Sequence, residues 1–460
     1  MRSPPIPLTA LVVLSLAIAA CGGDKESGPS ATTPSPPSLA APVTIDLWHS
    51  ETASNLETLD RLMSRFNASQ SEVTVRLSYQ GVDEEAMAKL VASVRSGEGP
   101  AIAILAEVFT REVVDSGAVA PVQDFIDREG YDLSSLVPSA VQYFVVDGKL
   151  WGLPLSMSVP LLYYNKVTFR EAGLDPERPP RDLDEVRQYS ERILKRDESG
   201  QVVRSGIAID VQEWLERVLA EHGDLFLDNA NGREGRATKV LFDNDSGRRF
   251  FQWWHDMVDQ GLAINVGRNP SYAEGFLAIS SGRAAMTFSY SPALRSVVDA
   301  LDAGVEGVEI GVGRLPGVPG GTGASILLGR GIWLLNVRPE REQEEAWKFV
   351  KWLMEPEQQA EWFAGSGYLP VSRAAVDLPA AQEIVKRYPQ FQAALDVYLG
   401  IPATAEALGP LLGPYRQVNE AVSQAVEEML AGSKDRAEAL DDAAARSNEV
   451  IAEYNRRLGR

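Results

Sequence analysis

VTIDLWHSETASNLETLDRLMSRFNASQSEVTVRLSYQGVDEEAMAKLVASVRSGEGPAIAILA, residues 43–106, decides the fold class. Val43, Ile45 and Leu47 alternate with Thr44 and Asp46, the period of a half-buried strand. Leu56, Leu59, Met63 and Phe66 then share one face of a helix that ends near Asn67. Val73, Val75, Leu77 and Tyr79 alternate again. Residues 83–96 form a second amphipathic helix, closed by Gly97 and Gly99-Pro100. Ala101–Ala106 is continuously apolar, as a central parallel strand covered on both faces should be. Strand, helix, strand, helix, strand is the doubly wound α/β pattern. Ligands of such sheets sit beyond the carboxyl ends of the strands, which directs His49, Ser50, Asp83 and Glu107 toward one cleft.

Outward from this stretch the chain changes character twice. Upstream, Arg2 precedes LTALVVLSLAIAA (8–20), a 13-residue apolar run that leads directly into Cys21. A permanent membrane helix needs about 20 apolar residues, so residues 1–20 are expected to be a secretory signal peptide. Cys21 is the only cysteine of 460 residues, so it has no internal disulfide partner. Residues 22–41 are rich in Gly, Ser, Pro and Thr and cannot bury a core, so 21–41 is expected to be a flexible linker. Downstream, GKLWGLPLSMSVPLLYYNK (148–166) is expected to be a crossing segment followed by a strand. Helical spacing recurs at 182–196, 248–260, 341–355 and from 416 onward, and strands are expected at 307–315 and 325–336.

Composition narrows the function. A net charge of −20, from 44 basic and 64 acidic residues, repels phosphate backbones and argues against nucleic acid as a partner. His49, His222 and His255 match no metal-ligand spacing, so no metal is expected. VEIGVGRLPG (308–317) has glycines after a strand, but Pro316 and a loop follow where a dinucleotide fingerprint needs a helix. Asn67-Ala68-Ser69 fits a glycosylation triplet of the kind that occurs by chance. Neither GxxxxGK[ST] nor a GxSxG elbow is present, and no catalysis or cofactor is expected.

Several strings in order from 43 to 457 resemble the extracellular solute-binding proteins (family 1) of ABC importers: LWHS (47–50), RFNAS (65–69), YQG (79–81), PLLYYNK (160–166), FREAGLDPERPP (169–180), GRAAMTF (282–288), GYLPVS (367–372) and PYR (414–416). Within that family the chain is most similar to the glycerol-3-phosphate and glycerophosphodiester binders. The start of the chain resembles a bacterial lipobox, which implies acylation of Cys21 and a protein exported and lipid-anchored at the cell membrane. The resemblance implies a two-lobed periplasmic-binding-protein fold (type II-like), each lobe a mostly parallel sheet flanked by helices, with the ligand cleft between. Residues 42–152 plus 290–340 are expected in the N-lobe and 153–289 plus 341–460 in the C-lobe. The implied function is a non-enzymatic, monomeric receptor that closes on a glycerophosphodiester or glycerol-3-phosphate-like solute and delivers it to ABC permease subunits. An oligosaccharide receptor of the maltose or trehalose type is the alternative, and an exported lipoprotein hydrolase a remote one.

The same resemblance carries ligand contacts onto Asp83, Glu107, Ser158, Tyr290, Ser291, Gly329, Tyr368 and Arg416. A carboxylate at 107 can accept two hydroxyl hydrogens, and Ser158 and the 289–291 loop offer short neutral donors. Gly329 would let a backbone N–H approach the ligand closely. Tyr368 could donate or stack, with core packing as its other reading. Arg416 suits a bidentate anion clamp, the alternative being a salt bridge at a helix start. Trp48, His49 and Trp214 could wall the cleft, or the two tryptophans could belong to the core. Where glycerol-3-phosphate binders show a tyrosine, this chain has Asp83. A second carboxylate beside Glu107 favours a ligand rich in hydroxyls or carrying a cationic end over free glycerol-3-phosphate.

Overall fold

The computed structural model describes residues 42–268, 273–302, 304 and 307–459; the expected signal peptide, Cys21 and the linker lie outside them. Two six-stranded sheets organise the chain. The opening strand-helix repeat builds the first, in which Val43–His49 runs parallel to Val73–Tyr79 on one side and to Ile102–Ala106 on the other. Leu328–Leu335 continues the sheet antiparallel to Ile102–Ala106 and in turn pairs with Leu153–Ser158. In the second sheet Ala263–Asn265, Val202–Ile209 and Ala284–Tyr290 are parallel, Pro160–Asn165 runs antiparallel between Ala284–Tyr290 and Ile310–Arg314, and Lys195–Arg196 adds a sixth strand antiparallel to Val202–Ile209. This is the expected α/β architecture with a sheet in each lobe.

Only Val159 separates the strand Leu153–Ser158 of the first sheet from Pro160–Asn165 of the second. This crossing is tied down. Ser291 N–H donates to the Val159 carbonyl at 2.9 Å, and Val159 N–H donates to Ser291 Oγ at 3.3 Å.

The expected lobe boundaries differ from what pairing and packing show. Leu153–Ser158 lies in the first sheet and Ile310–Arg314 in the second. The helices Glu340–Leu353 and Pro356–Ser366, expected in the second lobe, pack on the first sheet and on helix Ala53–Ser69. The apolar stripe of Ala346, Phe349, Val350 and Leu353 is buried as its spacing requires, with Phe349 4.9 Å from Phe66. A stripe demands burial without naming the sheet that supplies it. The second core, around Trp214, Phe250, Trp254 and Met286, is covered by the C-terminal helices Tyr415–Leu430 and Arg436–Arg457.

Val73–Tyr79 is the outer strand of the first sheet, and two amide side chains close it. Asn67 Oδ1 accepts from Val75 N–H at 2.9 Å while its Nδ2 donates to the Val75 carbonyl at 2.9 Å. Gln70 does the same for Val73, at 2.8 and 2.7 Å. Asn67 thus belongs to the strand edge, which gives the Asn67-Ala68-Ser69 triplet a structural explanation.

Gly329 packs directly against the backbone of strand Leu153–Ser158: a Cβ there would lie 2.2 Å from the Ser156 carbonyl oxygen and 2.9 Å from Met157 Cα. Both neighbours are backbone, so Gly329→Ala is expected to cost ~1–3 kcal/mol of stability. A melting temperature equal to wild type would show that the strands can part without loss.

Candidate functional site

Chain segments leaving the ends of both sheets surround a cavity of about 1520 Å³. From the first wall come Asp83, at the start of helix Asp83–Ser96, and Glu107, directly after strand Ile102–Ala106. Ser158, Gly329 and Tyr368 line the cavity from the crossing strand, its partner strand and the turn after helix Pro356–Ser366. The second wall supplies Tyr290, at the end of strand Ala284–Tyr290, and Arg416, in the first turn of helix Tyr415–Leu430. These seven positions were carried over as ligand contacts from distant parts of the chain, and they meet at one cavity.

Four other positions do not line it. Ser291 is fully buried, and its hydroxyl is spent on the crossing at Val159. Trp48 lies in mid-sheet, in register with Ser78 and Ala103. Trp214 stands behind the wall: it stacks on Tyr290 at 5.4 Å and 19°, and its Nε1 donates to Asp210 at 2.8 Å. His49 is buried, with Nδ1 accepting from Glu51 N–H at 3.2 Å. Burial, and then the charge of Arg330, hold its pKa below the ordinary histidine value. Trp214 therefore takes the core reading, Trp48 is partly buried and belongs to neither core, and His49 acts as a support for the segment that follows it.

Charge in the cavity is distributed differently from expectation. Asp83 is not a free second carboxylate: Arg330 Nη1 lies 2.5 Å from its Oδ2, and Arg330 Nε lies 2.9 Å from Glu51 Oε1. Arg416 is half-exposed and faces Glu84 of the opposite wall at 3.5 Å. Arg217, buried on helix Trp214–His222, pairs with Glu216, which also accepts from Tyr415 OH at 2.6 Å. Arg268 is held by Glu420 and Glu427, each at 2.6 Å. Every cavity arginine among the described residues thus has a carboxylate partner. No group of three or more His, Cys, Asp or Glu side chains among them is placed to hold a metal ion.

The sequence reading passed over Glu51, Arg217 and Arg330. For Arg330 a signal existed: it is the one charge in ILLGRGIWLL (326–335), and a charge buried in an apolar strand requires a partner. Glu51 and Arg217 carried no comparable mark, since a charged side chain on a loop or helix is ordinarily solvated.

Glu107 is 5% exposed. Burial pushes its carboxyl up to about 7, opposed by the Gly329 N–H that donates to it and by the charge of Arg217. With a folded pKa above the ordinary 4.5, its contribution to stability is full below about 4.5 and is lost as pH rises through about 7. Glu107→Gln has no such loss. In thermal melts of the unliganded protein, its gain over wild type should therefore be larger at pH 8 than at pH 5. An equal difference at both would contradict the assignment.

The profile described as "Bacterial extracellular solute-binding protein" matches residues 61–393. The sn-glycerol-3-phosphate-binding periplasmic protein UgpB of Escherichia coli (strain K12) is 30% identical over 425 residues, covering 90% of this chain and 94% of that protein. Among solved structures, the cyclic alpha-maltosyl-1,6-maltose binding protein from Arthrobacter globiformis aligns with a TM-score of 0.72 at 26% identity, covering 89% of this chain and 99% of that one. UgpB from Mycobacterium tuberculosis in complex with glycerophosphocholine gives a TM-score of 0.72 at 19% identity, over 90% and 99% of the two chains. Among the described residues no helix is long and apolar enough to cross a membrane. Two sheets, a cavity between their strand ends and these matches identify the chain as a member of the bacterial extracellular solute-binding proteins, the non-enzymatic substrate receptors of ABC importers.

Proposed function

We propose that the cavity captures a glycerophosphodiester or a similar glycerol-phosphate solute and presents it to the permease after hinge closure. The observation that carries this reading is the pairing of Glu107 on one wall with Arg416 on the other across a single cavity, in a chain 30% identical to a glycerol-3-phosphate binder. The carboxylate suits the glycerol hydroxyls, and the guanidinium suits the phosphate. Arg416 must exchange Glu84 for that phosphate as the walls approach. Because the cavity arginines already carry carboxylates, a monoanionic diester with a cationic end fits better than the dianion of glycerol-3-phosphate. The same neutralisation favours an uncharged oligosaccharide as the second reading.

Titration calorimetry with glycerophosphocholine, glycerol-3-phosphate, maltose and trehalose decides between them. Glycerophosphocholine should bind most tightly. Arg416→Ala and Glu107→Ala should each weaken it by ~2–5 kcal/mol, roughly 30-fold or more. Tight binding of glycerol-3-phosphate alone, or wild-type affinity in both variants, would refute this assignment.

The receptor reading extends to the leader. We propose that Cys21 is acylated and that residues 22–41 tether a monomeric receptor to the membrane surface. The mature protein should carry lipid mass on its first residue, and Cys21→Ser should abolish detergent-phase partitioning. A mature wild type without lipid would refute the anchor.

A further inference from the structure

Three charged side chains from separate elements meet at the first wall: Glu51 just after strand Val43–His49, Asp83 at the start of its helix, and Arg330 in strand Leu328–Leu335. Arg330 is 7% exposed and Glu51 3%, yet Asp83 and Arg330 both line the cavity. Glu51 is itself held in place. Asn55 Nδ2 donates to its Oε2 at 3.0 Å, and its backbone N–H donates to His49 Nδ1 at 3.2 Å. Glu51 thus has one oxygen for Arg330 Nε, and Asp83 has one for Nη1.

Four buried atoms of the trio have no hydrogen-bond partner: Glu51 Oε1 and Arg330 Nε, which meet only as an ion pair, and Arg330 Nη2 and Asp83 Oδ1, while the Asp83 side chain as a whole is 23% exposed. An ion pair kept for stability alone would spend its donors and acceptors inside the protein, since an unmade bond of a buried charge is costly. Here a donor and an acceptor belonging to one ion pair are left without a partner. A hydroxyl both donates and accepts, so two neighbouring hydroxyls match such a pair. A phosphate offers only acceptors, and it would meet two carboxylates for one guanidinium.

We propose that Asp83 and Arg330 form a hydroxyl-pair subsite, with Glu51 as the positioning residue that orients the guanidinium, and that this subsite reads a diol of the ligand. The assignment rests on the polar-solute reading above and adds a polarity to it: the polyol end lies against the first wall, and the anionic end lies toward Arg416. Specificity then resides partly in two residues, Glu51 and Arg330, for which the family resemblance offered no role.

The test uses glycerophosphocholine and phosphocholine, which lacks the diol, as calorimetric probes of the wild type, Asp83→Asn and the double variant Glu51→Gln/Arg330→Gln. The double variant removes one charge of each sign and preserves net charge. Thermal melts identify folded variants, and Asp83→Asn carries the test alone where the double variant does not fold. Glycerophosphocholine affinity should fall about 10-fold or more in the variants, the loss expected for charged hydrogen bonds. The preference over phosphocholine should fall with it. Affinity within threefold of wild type, or an equal loss for both probes, overturns the subsite. A wild type that takes maltose or trehalose but not glycerophosphocholine refutes the glycerophosphodiester reading instead. The variants are then titrated with that sugar, where a 10-fold loss supports the subsite and unchanged affinity overturns it. A wild type that takes none of these probes overturns both.

Discussion

The two walls of the cavity are held in relation by a crossing of one residue. Val159 joins a strand of one sheet to a strand of the other, and its backbone N–H and C=O are both bound to Ser291 at the start of the return segment. So short a link leaves little backbone to bend, and each flanking strand is committed to its own ladder. The sheets are therefore joined here at a single, hydrogen-bonded residue. Glu107, Ser158 and Gly329 line the cavity from one sheet, and Tyr290 and Arg416 from the side of the other.

Charge neutralisation is the second constraint on the cavity. Four arginines around one opening would draw any anion, and each has a carboxylate beside it. The pairs differ in consequence. Arg330 and Arg217 are buried, so breaking their pairs would strand an uncompensated charge. Arg416 and Glu84 are about half-exposed and weakly coupled, so their exchange for a ligand costs little. The cavity thus combines two buried ion pairs, at Arg217 and Arg330, with exposed ones at Arg268 and Arg416.

Much of this was legible in the sequence. The run Ala101–Ala106 and the alternation at Val43–Leu47 dictate parallel strands because side-chain burial has a period, and the ligand rule for strand ends then points to Asp83 and Glu107. Seven of the eight transferred contacts meet at the cavity, while Ser291 serves the crossing behind it. What stayed hidden was partnership. The stripe on helix Glu340–Leu353 does not say which sheet covers it, and Asp83 does not reveal that an arginine 247 residues later neutralises it. Trp214 has the composition of a sugar platform, but its ring stacks against Tyr290 from behind the cavity wall. Pairings of this kind are set by tertiary placement, and a periodicity cannot carry them.

The amides of Asn67 and Gln70 have a consequence for how the molecule meets other chains. An outer strand with free N–H and C=O groups is a template on which another chain can add a strand. In Val73–Tyr79 the outward groups of Val73 and Val75 are occupied by side chains of the same molecule, which imitate a neighbouring strand one residue at a time. An uncovered edge would otherwise be open to edge-to-edge pairing. Two neutral amides blunt that hazard at Val73 and Val75 without adding charge to the edge.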